Sequence, residues 1–184
     1  MNFLNQMAYL GEDLKRWKCS SFKDLFYMLF EQSLWATIFY RISRMLFLID
    51  VPVLKIVLRL AGFLLMKCSE YFLGVAIKPE ADLGPGLFIS HSGLIRVHPK
   101  TVAGKNLSIT VGVILGEKGL GGKGAPIIGD NVFFGAGAKV LGTLRIGSNA
   151  KIGANAVVTR DIPEGATAVG VPARVITTKA GTST

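Results

Sequence analysis

A parallel β-helix of triangular cross-section, preceded by a helical region, is the fold class this sequence predicts. Three observations carry the prediction. Aliphatic or aromatic residues recur at six-residue intervals between residues 77 and 158, glycine directly follows many of them, and before Gly74 the apolar spacing is helical instead.

In chain order, the first part runs over residues 1–74, with breaks near Ser20-Ser21 and at Asp50-Val51-Pro52. After Pro52, Lys55, Arg59, Lys67 and Glu70 fall near one helical face while Leu, Ile, Val and Phe fill the rest, so this helix has a wide apolar side to bury. Its spacing leaves two covers open: the rest of the protein or other subunits, and peripheral attachment of basic, aromatic-rich helices to the inner face of the cell membrane. Half of the chain is apolar, yet charges interrupt Phe22 to Leu73 so often that no run approaches the roughly 18 to 20 apolar residues of a bilayer span. The N-terminus lacks the basic-then-apolar order of a signal peptide, and a cytoplasmic location is expected.

The second part, residues 75–176, repeats. Its periodic positions are Ile77, Leu83, Ile89 and Ile95, then Ala103, Ile109 and Leu115, then Ile128, Phe134, Val140, Ile146, Ile152 and Val158. A period of six fits a coil in which each hexapeptide forms one flat side and three sides, about 18 residues, close a triangle. Ala81, Ala138, Ala150 and Ala156, four places after a periodic residue, supply small side chains for the corners. Two interruptions break the period: a step of eight from Ile95 to Ala103, and a step of thirteen from Leu115 to Ile128 across a glycine-rich excursion. Such departures from a regular scaffold are where function is expected. Residues 177–184 read as a flexible tail.

Residues 1–76 hold nine Lys/Arg against six Asp/Glu, and residues 77–184 twelve against six, so most of the net charge of +9 lies in the repeat. That excess suits a polyanionic ligand such as a phosphorylated cofactor. No basic stripe interleaved with aromatics accompanies it, and nucleic acid is not expected as a partner. Cys19 and Cys68 sit in apolar helical surroundings and read as reduced packing residues. No metal is expected, because two cysteines cannot form a four-cysteine zinc cluster and two histidines fall short of a three-histidine site. Gly119 to Gly124 matches a dinucleotide-binding glycine pattern, but no helix follows it, and Gly124 after Lys123 stands where a phosphate loop needs Ser or Thr.

The two histidines, His91 and His98, both lie in the first coils. An imidazole takes and returns a proton near neutral pH, and His91, two places after the inward Ile89, can project off the coil. From the residues alone His91 reads either as a general base or as a structural surface histidine.

From Ile77 to Ile176 the chain resembles the serine acetyltransferase branch of the hexapeptide acyltransferases. The resemblance rests on Ile77-Lys-Pro-Glu-Ala-Asp-Leu-Gly84, Ile89-Ser-His91, Leu115-Gly116, Gly135-Ala-Gly-Ala-Lys139 and Ala168-Val-Gly-Val-Pro-Ala-Arg174. With its short apolar helical N-terminus the chain is most similar to the small acetyltransferases of bacterial exopolysaccharide and colanic acid pathways. The resemblance implies a left-handed coil, a homotrimer with active sites between adjacent prisms, and acetyl-coenzyme A as donor. It implies His91 as the catalytic base, and Gly116, Ala136, Lys151, Ala154, Val171 and Pro172 as cofactor contacts. Where serine acetyltransferases carry Arg-His-Pro, this chain has Gly124-Ala125-Pro126. Their acidic residue before the histidine is Ser90, and their orienting acid is Ala76. A zwitterionic serine thus lacks its expected partners. The acceptor expected is therefore a sugar hydroxyl of a surface polysaccharide or its lipid-linked precursor, with serine or a nucleotide sugar as the alternative.

Overall fold

The computed structural model describes residues 3–17, 21–119, 121–122 and 124–176. Cys19, Ser20, Lys123 and the expected tail at 177–184 lie outside the described residues.

Four helices come first: α1 (Phe3–Lys15), α2 (Phe22–Phe30), α3 (Gln32–Leu48) and α4 (Lys55–Leu73). Ser21 starts α2 with a reciprocal capping box to Asp24, which satisfies backbone donors that a helix start leaves open. Glu31, in an extended conformation, separates α2 from α3, a break the apolar spacing does not signal. Gly74, at φ 68°, ends α4 in the left-handed conformation that glycine adopts without steric cost, and its N–H turns back to the carbonyl of Ser69.

The chain then winds a triangular prism whose three faces are sheets of short strands. Face I stacks β1 (Val75–Ile77), β4 (Ile95–Val97), β7 (Ile114–Gly116), β10 (Lys139–Leu141) and β13 (Val157–Val158). Face II stacks β2 (Asp82–Leu83), β5 (Val102–Ala103), β8 (Ile127–Ile128) and β11 (Arg145–Ile146). Face III stacks β3 (Phe88–Ile89), β6 (Ser108–Ile109), β9 (Phe133–Phe134), β12 (Lys151–Ile152) and β14 (Thr167–Val169), with β15 (Arg174–Ile176) antiparallel at its end. Every other strand pairing is parallel, as a solenoid requires.

All thirteen periodic residues expected to point inward are buried, in one apolar column running the length of the prism. The first interruption lies elsewhere than expected. Val97, not Ile95, sits opposite both Ile77 and Leu115, so the step of eight runs from Ile89 to Val97, and Val97 to Ala103 is a regular six. The two extra residues therefore widen the corner at 90–94, where Gly93 and Leu94 have positive φ, and that corner carries His91.

A solenoid exposes unpaired backbone at its first coil unless something caps it. Here α1 and α3 cap it with polar side chains. Arg41, fully buried, binds both carboxylate oxygens of Asp13 and donates to the carbonyls of Leu83 and Gly84. Asp13 accepts from the N–H of Leu87, Tyr40 donates to the carbonyl of Ala81, and Arg44 reaches the carbonyls of Pro79 and Glu80. Helix α4 packs against α3 through a narrow stripe that buries Gly62, Met66 and Ser69. Its outer side leaves Ile56, Leu60 and Leu64 exposed, so the expected internal packing holds for one stripe only. Among the described residues no helix is long and apolar enough to cross a membrane.

At the corner between faces II and III, Asn106, Asn131 and Asn149 occupy successive coils at φ 59°, 56° and 61°. Their side chains form a ladder, Asn106 Nδ2 to Asn131 Oδ1 at 2.9 Å and Asn131 Nδ2 to Asn149 Oδ1 at 3.2 Å. Asn131→Ala is expected to lower stability by about 1–3 kcal/mol, through left-handed strain and the loss of two hydrogen bonds. Urea denaturation checks this, and a variant as stable as the parent would contradict the ladder's role.

Candidate active site

The corner between faces III and I collects most of the residues that the resemblance marks for function. Ile89, Ile109, Phe134 and Ile152 stack in register on face III. Two positions further on, His91, Val111, Ala136 and Ala154 therefore fall on successive rungs, about 4.8 Å apart along the prism. Backbone bonds tie these rungs: Gly112 N to Gly93 O, Gly137 N to Val111 O, and Asn155 N to Ala136 O. All four side chains are exposed, and the ridge continues past Gly170 to Val171 and Pro172. His91 thus stands at one end of a ridge that is low at Ala136, Ala154 and Gly170.

His91 also lines a hollow of about 310 Å³ with Ser92 and with Phe30, Glu31, Gln32 and Ser33 from the junction of α2 and α3. Ser92 Oγ lies 3.0 Å from Gln32 Oε1, which pins the widened corner to the start of α3. The break at Glu31 is what turns this segment toward the histidine. Glu31 and Gln32 are missed by sequence reasoning, because their proximity to His91 spans about sixty residues and follows only from the capping of the first coil by the helices.

Gly116 lies apart. It ends β7 at the opposite edge of face I, in a second hollow of about 300 Å³ that also includes Ala76, Lys78, Arg96, His98 and Glu117. Lys151 projects from the outer side of face III between Phe133 and Thr167, on neither the ridge nor either hollow. One chain therefore gathers His91 with Ala136, Ala154, Val171 and Pro172, and separates them from Gly116 by the width of face I. Among the described residues no group of three metal-binding side chains occurs.

The excursion after Gly116 ends with Gly124, Ala125 and Pro126 buried. A Cβ at Gly124 would run into the side chain of Thr143, which would have to move to admit a larger residue. At the second hollow, the Lys67 ammonium beside Glu70 holds that carboxyl below its usual range, aided by nearby Arg96 and Lys78.

A prism of hexapeptide coils with a histidine-bearing corner defines a hexapeptide-repeat transferase, and residues 125–160 match the bacterial transferase hexapeptide family (six repeats). The chain is 40% identical to a serine acetyltransferase of Synechococcus elongatus over 77% of its own length and 55% of that enzyme's. It is 45% identical to the Helicobacter pylori serine acetyltransferase over 61% of its length and 67% of that enzyme's. The crystal structure of Neisseria gonorrhoeae serine acetyltransferase in complex with serine superposes with a TM-score of 0.81 and 34% identity, covering 95% of this chain and 70% of that one. The chain belongs to the serine acetyltransferase family, and its fold is the left-handed parallel β-helix expected of it. It spans about half to two thirds of the length of these curated relatives.

These relatives overturn the expected sugar acceptor and the closer likeness to polysaccharide acetyltransferases: they are serine acetyltransferases. The expectation of a sugar follows from missing partners at Ser90, Ala76 and Gly124-Ala125, all of which lie in the repeat. The structure brings an acid, Glu31, into the hollow of His91 from the helical region.

Proposed function

We propose that this chain transfers the acetyl group of acetyl-coenzyme A to the hydroxyl of serine. The observation that carries the reading is the shared hollow of His91 and Glu31, which pairs a proton acceptor with a carboxylate suited to the ammonium of an amino acid. His91 takes the proton of the serine hydroxyl as that oxygen bonds to the acetyl carbon. The carbon–sulfur bond breaks, and His91 returns the proton to the departing thiol. Ala136, Ala154, Val171 and Pro172 offer the low ridge along which the donor's extended arm lies, its thioester end at His91. The donor supplies the activated acyl group, and the protein supplies position and proton transfer.

The separation of Gly116 from His91 across face I suits a homotrimer in which one prism's ridge meets the next prism's second hollow. Backbone N–H groups near Gly116 then serve as donors to the oxyanion across that interface.

Release of coenzyme A thiol on mixing the protein with acetyl-coenzyme A and serine tests the reading, and no release above the rate without acceptor would defeat it. Glu31→Gln is expected to raise KM for serine roughly tenfold or more while KM for acetyl-coenzyme A stays unchanged, since one charge-assisted contact to the acceptor is lost. Initial-rate kinetics with each substrate varied in turn check this.

A further inference from the structure

The second hollow has a chemistry of its own. Ile77 pairs with Val97 and Val97 with Leu115, so the next residues, Lys78, His98 and Gly116, stack on three successive rungs at one edge of face I. Arg96 projects from β4 on the rung next to Ala76. The remaining walls are largely apolar, with Val97 and Leu115 among them.

Each polar group on these rungs is a donor. Lys78 and Arg96 are cations. The backbone N–H of Lys100 donates to His98 Nδ1 at 3.2 Å, so a neutral His98 carries its proton on Nε2 and offers a donor rather than a base. Arg96 is oriented by Glu70 Oε1 at 3.3 Å, and among the described residues Lys78 closes no ion pair. Glu117 is the one carboxylate in the lining, against two cations. With Glu70 counted, which pairs with Lys67 and Arg96 and lies near Lys78, three cations stand against two carboxylates, and that single surplus positive charge matches a monoanion better than a phosphate dianion.

Serine carries a carboxylate as well as an ammonium, and the lining of the hollow of His91 includes Glu31 but no Lys or Arg. Cations elsewhere must then meet an acceptor's negative end. We propose that Lys78 and Arg96, with His98 Nε2–H, bind the carboxylate of the acceptor, and that each such hollow serves the His91 corner of a neighbouring copy. This rests on the reading of serine as acceptor. The copy is required because His91 and His98 flank β4 at opposite edges of face I, about 10 Å of strand apart before the corners are added, and serine is too short to bridge them.

Kinetics of Lys78→Met and Arg96→Met test the contact. Each is expected to raise KM for serine roughly ten- to hundredfold with KM for acetyl-coenzyme A unchanged, and the penalty should disappear with serinamide, which has no carboxylate. A rise in KM for acetyl-coenzyme A instead would assign the anion to the donor and overturn the proposal, as would unchanged values for both substrates. Mixing His91→Ala with the Lys78→Met/Arg96→Met double variant after joint refolding tests the trans arrangement. Random trimers at equal ratio carry one intact site in each mixed assembly, so at serine well below the variants' KM about a quarter of the parent's activity should return, and nothing beyond the activity of the separate variants would return if each site lay within one chain. If the parent itself leaves serine unacetylated, the functional reading fails separately. The hollow is then judged by NMR of the His98 ring on titration with acetate: a saturable shift abolished by Lys78→Met supports a carboxylate site, and no shift ends it.

Discussion

Replacing His91 by alanine is expected to lower kcat by roughly 10²- to 10⁴-fold while leaving KM for acetyl-coenzyme A within a few-fold of the parent value, the contribution typical of a positioned general base. The imidazole is exposed on a corner that two extra residues widen, and it packs no core, so the loss should come without a loss of stability. Thiol release in the presence of serine measures the first effect and thermal unfolding the second. His98→Ala separates the two histidines: its ring accepts from Lys100 and belongs to the other hollow, so its effect should fall on KM for serine rather than on kcat. A His91→Ala protein with parental turnover would remove the mechanism.

Arg41→Met is expected to cost about 3–5 kcal/mol of stability, the cost typical of stripping one partner from a buried ion pair. Arg41 and Asp13 are both fully buried, and between them they satisfy the carbonyls of Leu83 and Gly84 and the N–H of Leu87 on the first coil. Burial pushes the Asp13 carboxyl above its usual range, against the pull of Arg41 and of the Leu87 and Gly86 backbone. With Arg41 gone the upward push loses its hydrogen-bonded cation, and only the charge of Arg16 nearby still opposes it. A folded-state value raised above the unfolded one means stability that is present below the ordinary carboxylate value of 3.8 and lost as pH rises through the folded value. The deficit of Arg41→Met should therefore be smallest in acid and grow toward neutral pH. Denaturant midpoints across pH measure it, and a deficit below about 1 kcal/mol at neutral pH would show that the cap does not depend on this pair.

The prism itself was legible because a period of six leaves a mark on every rung: each inward residue is apolar, and most corners have a small residue, a glycine or an asparagine. The shift of the first interruption from beyond His98 to the corner of His91 was not legible. Ile95 and Val97 are both apolar and both buried, so hydropathy gives either one as the inward residue, and only the pairing of Val97 with Ile77 and Leu115 decides between them. The break at Glu31 was hidden for a similar reason, since apolar residues at helical spacing lie on both sides of it.

Local pattern alone determined the repeat and the boundary near Gly74, because each depends on residues within one coil of one another, and it left His91 with two readings between which only the family resemblance chose. The tertiary fold decided the surroundings of that histidine. Glu31 reaches its hollow only because Arg41, Tyr40 and Arg44 seat the helices on the first coil, and Lys78, His98 and Gly116 share an edge only because successive coils stack in register. Contacts between residues sixty positions apart arise from the closing of the whole structure, and no short stretch of sequence carries that information.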